Sequence, residues 1–186
     1  MLIRPALPGD APAIAAIYAH YVRHTAVTFA CLEPSAAHYA RQIAEGMYPF
    51  LAAVDEDGSV AGFAYASAFR EKEAFRWGAE LTIYLRPGLE RCGTGSRLMA
   101  GLLAILRRQG YLLAYSCVTL PNEGSLALHR RFGFEQLGVF PRTGYKLGCW
   151  HDVVWLHLPL GGMPEHPDEP LPFSALTGEE TARLLR

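Results

Sequence analysis

A chain of 186 residues, 51% of them apolar, suits one domain with a sizeable core and is too apolar for intrinsic disorder. A net charge of -1 gives no electrostatic case for a nucleic acid or an anionic membrane as partner, and no apolar run approaches the ~20 residues that span a bilayer. Four spread cysteines (Cys31, Cys92, Cys117, Cys149) without a C-x-x-C pair, and a start lacking a signal-peptide apolar region, predict reduced thiols in a cytoplasmic protein.

Leu2-Ile3-Arg4 reads as a first strand, broken by Pro8-Gly9-Asp10, with Asp10 as the N-cap of a helix. Ile14, Ile17, Tyr18, Tyr21 and Val22 recur at helical spacing, and a second helix runs from near Ser35 to Gly46. Phe50 to Val54, the turn Asp55-Glu56-Asp57-Gly58, and Val60 to Phe69 read as a hairpin. Arg70 to Arg76 is a charged loop. Glu80 to Leu85 is the next strand, with Leu81, Ile83 and Leu85 on one face and Glu80, Thr82 and Tyr84 on the other. Leu98, Leu102 and Leu106 stripe a helix that Gly110 ends. Leu112 to Val118 is a buried strand, and Asn122 caps a helix ended by Gly133. Val139-Phe140 and Val153 to Leu158 read as closing strands joined by a loop around Gly144-Tyr145-Lys146. After Leu160 the composition turns to Pro and Gly, which predicts a flexible extension over 161–186 appended to a domain over 1–160. Within it, Thr177-Gly178-Glu179-Glu180 has capping-box spacing for a short helix. Interleaved strands and helices favour a mixed α/β or α+β domain.

The chemistry concentrates where the Glu80 strand is followed by Arg91-Cys92-Gly93-Thr94-Gly95-Ser96. A glycine-rich turn opening a helix aims bare N–H groups at an anion. A Walker A loop is excluded because Gly95-Ser96-Arg97 lacks Gly-Lys-Ser/Thr. A dinucleotide fingerprint is excluded because Leu98 occupies the position of its third glycine. An acyl-CoA pyrophosphate loop (R-x-G-x-G) and a purely structural turn both stay open. One carboxylate, Glu80, interrupts the strand beside it. It reads either as a general base or as a structural carboxylate paired with Arg70 or Arg76. Cys149, His151 and Asp152 lack a distant partner at zinc spacing, so no metal is expected.

From Ile3 to Leu158 the chain resembles the GNAT superfamily of N-acetyltransferases, and within it the phosphinothricin and methionine-sulfone acetyltransferase branch. The blocks that carry the resemblance are Ile3-Arg4-Pro5-Ala6, Ile17-Tyr18-Ala19-His20-Tyr21-Val22, Gly62-Phe63-Ala64-Tyr65-Ala66 and Trp77-Gly78-Ala79-Glu80-Leu81-Thr82-Ile83-Tyr84. They continue with Arg91-x-Gly93-x-Gly95-Ser96, Pro121-Asn122-Glu123-Gly124-Ser125, Leu128-His129, and Gly144 through Val153. The resemblance implies a mixed, mostly antiparallel sheet flanked by helices, with a splayed central strand pair. It implies acetyl-CoA as co-substrate, a small-molecule amine as acceptor, and a homodimer.

By the same resemblance, Ile83, Tyr84 and Leu85 hold the pantetheine arm and Arg91, Cys92, Gly93, Thr94, Gly95 and Ser96 cradle the pyrophosphate. Asn122 and Ser125 bond the pantetheine amide, or serve only as N-cap and first-turn residue. Glu80 falls at the position of the family's proposed base, and Tyr84 faces the reaction beside it. His129 stands where many members carry a proton-donating tyrosine; it donates, positions Glu80 or the cofactor, or simply caps and packs. Phe29, Arg70, Phe75, Arg76 and Lys146 are the candidate acceptor residues, with a solvated charged loop as the other reading of Arg70 to Arg76. The implied reaction is direct acetyl transfer to a small amino acid or analogue. The alternatives are a peptide or protein acceptor and a non-catalytic acyl-CoA-binding module.

Overall fold

A computed structural model describes all residues, 1–186. Seven strands form one sheet: β1 (Leu2–Pro5), β2 (Phe50–Val54), β3 (Val60–Ala68), β4 (Gly78–Leu85), β5 (Leu113–Thr119), β6 (Glu135–Lys146) and β7 (Cys149–Pro159). Their spatial order is β1-β2-β3-β4-β5-β7-β6. Every neighbouring pair is antiparallel except β4 and β5, which run parallel. The helices are α1 (Ala11–His24), α2 (Ala36–Glu45), α3 (Thr94–Gln109), α4 (Glu123–Arg131) and α5 (Gly178–Leu184).

All five residues of β2 are buried, and its period of two feeds both faces of the sheet. Leu51 and Ala53 join a core with Leu98, Met99, Leu102, Leu103, Ile105 and Leu106 of α3. Phe50, Ala52 and Val54 join a second core with Ile14 and Ile17 of α1 and Tyr39 of α2. Each buried aliphatic side chain of α3 contributes on the order of 2 kcal/mol of burial free energy, so α3 is the main clamp on its face.

Three expectations change. Asp10 does not cap α1 through its side chain. Its carboxylate takes bonds from the Arg4 guanidinium (2.7 and 2.9 Å) and the Leu7 N–H (2.7 Å) instead. Gly144-Tyr145-Lys146 is strand rather than loop: β6 pairs with β7 as far as Lys146 opposite Cys149, across a tight turn at Leu147 (φ 51°) and Gly148 (φ 80°). The alternation signal is missing there because β6 is an exposed edge strand with two register shifts and a proline, Pro141, which only an edge tolerates.

The third change is the tail, which is docked. The Leu171 N–H donates to the Gln109 carbonyl (2.7 Å), and Gln109 Nε2 donates to the Leu171 carbonyl (2.7 Å). Trp77 Nε1 donates to the Asp168 carbonyl (2.8 Å), Arg76 pairs with Glu169, and Arg108 pairs with Glu180 of α5 (2.8 Å). The expected capping box forms at Thr177 and Glu180.

Candidate active site

β4 and β5 pair only at Gly78, Ala79 and Glu80. Beyond that point β4 continues along β3 alone, and β5 continues along β7 alone. The two strands therefore splay and leave one bare edge each. Two bonds fix which groups face the gap. The Arg86 N–H turns to the Ala61 carbonyl of the β3 side, and the Trp77 carbonyl turns to the β5 side. Alternation along the strand then points the N–H groups of Leu81, Ile83 and Leu85 into the gap. The Leu85 carbonyl already accepts the Tyr21 hydroxyl at 2.7 Å.

The gap opens into a cleft of about 900 Å³. At one end lies the start of α3. Gly93 caps that helix at φ 86°, a left-handed backbone that glycine adopts without strain. The first main-chain bond of α3 runs from the Arg97 N–H to the Gly93 carbonyl, so the N–H groups before it have no partner within the helix. Arg91, Gly93, Gly95 and Ser96 line the cleft. Thr94 and Cys92 are turned aside: Thr94 Oγ1 donates to Met1 Sδ (2.8 Å) and Cys92 Sγ to the Leu89 carbonyl (2.8 Å). Arg97 also points away, onto the Met1 carbonyl. Across the gap, Asn122, the N-cap of α4, and Ser125 in its first turn line the opposite wall. Asn122 Oδ1 caps α4 by accepting the Ser125 N–H at 3.1 Å, which leaves its amide NH₂ free.

At the splay point Glu80 faces the cleft and has no ion-pair partner within 4.0 Å. The expected ion pair does not form: Arg76 is engaged by Glu169, and Arg70 lies over the Phe69 and Trp155 rings. Burial raises the Glu80 pKa, and the charge of Arg70 opposes that only in part. Cys117 opens onto the same cleft rather than into the core. The enclosing protein, and next the charge of Glu80, push its thiol up to about 11. Tyr84 forms the wall beyond Thr82, packed on Tyr18 (5.0 Å) and Tyr21 (4.8 Å), and burial raises its pKa strongly.

Several candidates do not reach the cleft. His129 is 7% exposed and lies behind Ser125. Its Nδ1 lies 2.8 Å from the Ser125 carbonyl, which makes Nδ1 the protonated nitrogen, and its ring packs edge-on against Phe134. Burial lowers its pKa, so it is held neutral. Arg70, Phe75, Arg76 and Lys146 are absent from the lining, whereas Phe29 is in it. Phe75 packs on Phe69, Arg76 is drawn to the tail, and Lys146 Nζ is buried against the Thr28 carbonyl (2.7 Å). Tyr18, Tyr21, Val27, Thr28, Tyr65, Thr82 and Cys117 line the cleft without having been singled out as site residues. Thr82 was legible from strand parity with Glu80, and Tyr18 and Tyr21 from their three-residue spacing. Nothing local marks Val27, Thr28 or Cys117.

Comparison with known proteins gives a consistent family. The model of the acetyltransferase (GNAT) domain matches residues 3–155. The chain is 35% identical over 164 residues to a phosphinothricin N-acetyltransferase of Streptomyces coelicolor, covering 85% of this chain and 95% of that protein. It is 35% identical over 162 residues to an L-methionine sulfoximine/L-methionine sulfone acetyltransferase of Pseudomonas aeruginosa, covering 85% and 94%. The crystal structure of a GNAT superfamily phosphinothricin acetyltransferase from Sinorhizobium meliloti in complex with AcCoA superposes with a TM-score of 0.85 at 35% identity, covering 91% and 94%. A ribosomal-protein-alanine N-acetyltransferase from Brucella melitensis superposes at 0.81 with 30% identity, covering 86% and 99%.

Proposed function

The chain belongs to the GNAT acetyltransferase family, and we propose that it transfers acetyl from acetyl-CoA to the primary amine of a small amino acid or amino-acid analogue. The observation that carries this reading is Glu80, an unpaired carboxylate of raised pKa at the point where two strand edges come apart. The cleft suits acetyl-CoA: a bare strand edge runs toward a helix N-terminus with free N–H groups and Arg91 beside it. Acetyl-CoA supplies the acetyl group as an activated thioester.

The protein's part is to hold, orient and deprotonate. Arg91, Gly93, Gly95 and Ser96 hold the pyrophosphate end, and Ile83 and Leu85 offer strand N–H groups to the pantetheine arm and the acyl carbonyl. Asn122 and Ser125 meet the arm from α4, with His129 as the residue that fixes Ser125. An ordinary α-amine has a pKa of ~8, and only its neutral form attacks. Glu80 removes that proton, directly or through one water, and its raised pKa makes it a better base near neutral pH. Cys117 stays protonated at neutral pH, which favours direct attack over an acyl-enzyme. Holding amine and thioester together supplies much of the acceleration.

Glu80→Gln tests the reading. The loss of kcat/KM should be about 10²- to 10⁴-fold, with acetyl-CoA affinity unchanged by calorimetry. An unchanged kcat at every pH sinks the general-base role and favours a binding module. The Streptomyces and Pseudomonas relatives support a free amino-acid analogue as acceptor. The Brucella neighbour supports a second reading, an alanine-terminated protein. Competition between methionine sulfone, phosphinothricin and an alanine-terminated peptide separates the two. We read the assembly as a cytoplasmic homodimer. Supporting the dimer, the β6–β7 hairpin exposes Leu137, Phe140, Tyr145, Leu147 and Trp150, each 50–60% accessible.

A further inference from the structure

Val27, Thr28 and Phe29 form one wall of the cleft yet belong to no helix or strand. They lie on the connection between α1 and α2, on the Glu80–Tyr84 face of the sheet. Three contacts hold this strap. The Tyr18 hydroxyl and Thr28 Oγ1 lie 2.7 Å apart. Lys146 Nζ donates to the Thr28 carbonyl at 2.7 Å. The Phe29 ring lies flush on Gly144, where an added Cβ would stand 2.2 to 2.6 Å from three ring carbons. Two of the three reach across from the β6–β7 hairpin, some 115 residues later in the chain.

Lys146 is an unusual tie. It is 7% exposed, has no carboxylate within 4.0 Å, and spends its ammonium on one carbonyl. Burying an ammonium without a counter-charge is costly, so an apolar residue at this position would be the cheaper way to fill space. The lysine carbonyl is itself engaged by His151 Nε2 at 3.0 Å, which fixes the strand from which the side chain reaches. The Lys146 side chain does not line the cleft, so it does not touch an acceptor there.

We propose that Lys146 is a positioning residue for acceptor selection: by holding the Thr28 carbonyl it sets where Phe29 stands in the amine end of the cleft, with Gly144 as the floor that admits the ring. The proposal rests on the acetyl-transfer reading for its substrate end. It predicts that acceptor discrimination by side-chain size is tuned from the hairpin rather than only from the residues that meet the amine.

The test uses the full chain and three variants. Lys146→Met keeps the length and removes the donor; Lys146→Arg keeps a donor; Gly144→Ala pushes on Phe29 with Lys146 intact. In Lys146→Met, hydrogen–deuterium exchange over residues 25–30 should quicken, and the KM for methionine sulfone should rise about tenfold, in line with losing one charge-assisted hydrogen bond. The KM for acetyl-CoA should stay within about twofold, since the cofactor end is untouched. Lys146→Arg should recover part of the loss, and Gly144→Ala should reorder a series of amines by size. Unchanged exchange over 25–30 in Lys146→Met overturns the proposal. So does a parallel rise in both KM values, or an unaltered amine ranking in Gly144→Ala. If the wild type acetylates no amine, the proposed function fails, while the exchange measurement still decides whether Lys146 holds the strap.

Discussion

Glu80 has a folded-state pKa raised by burial, and the sign of that shift has two measurable consequences. A glutamate acting as the proposed base works only when ionised, so kcat/KM should fall as pH drops through the raised pKa. The acid limb of the pH–rate profile should therefore lie above the ~4.3 of an ordinary glutamate. A carboxyl whose folded pKa exceeds its unfolded value favours the protonated folded state. Its contribution to stability is present at low pH and lost as pH rises through the folded pKa. Glu80→Gln should thus melt at the same or a higher temperature than wild type at pH 7, with the difference shrinking toward pH 4; a lower melting temperature at pH 7 would mark Glu80 as a structural ion-pair member. Glu80 stood out in the sequence because a charge interrupts an apolar strand. The roles of Arg76 and Lys146 were not legible there, because a cation's partner is set by distant chain, here Glu169 and the Thr28 carbonyl.

The loop into α3 divides into residues that face the cleft and residues that do not. Gly95→Asp places a carboxylate among free N–H groups, and its Cβ would stand 3.6 Å from Leu128, an ordinary contact, so the charge rather than a clash is what the variant tests. Acetyl-CoA affinity should fall at least about tenfold, by lost anion binding and added like charge. Arg91→Ala should weaken binding several-fold, whereas Arg97→Ala, whose guanidinium points to the Met1 carbonyl, should leave affinity within about twofold by calorimetry. Equal losses in both arginine variants would show that the cradle is assigned to the wrong face of the helix start. The glycine pattern, the α3 stripe and the Asn122 cap were all legible locally because each depends on residues within one or two turns. The extent of β6 was not, because an exposed, bulged edge strand has no buried face to impose alternation.

In the molecule as a whole, the tail is tied to α3 and to the chain leading into β4. The tail after Leu160 buries Gln109 under Leu171 and packs Phe173, Leu176, Leu184 and Leu185 against the α3 core. Ending the chain at Leu160 should expose that core and lower stability by several kcal/mol, at roughly 2 kcal/mol per uncovered apolar side chain. Denaturant unfolding measures it, and an unchanged midpoint would show the tail to be ornamental. The proposed dimer predicts that Trp150→Glu with Leu147→Glu sediments as a monomer at concentrations where the wild type does not; equal sedimentation coefficients would exclude this face. The sequence by itself determined the element order, the apolar stripe of α3, the glycine turn that opens it and the carboxylate on the strand before it, all signals of periodicity, capping or composition within a short window. Only the tertiary structure decided that β4 and β5 part after Glu80, that Glu80 forms no ion pair, that His129 is turned inward, and that a strap held from the late hairpin lines the cleft. Each of those depends on which distant group arrives first at a given hydrogen-bonding atom, and a linear pattern carries no record of that competition.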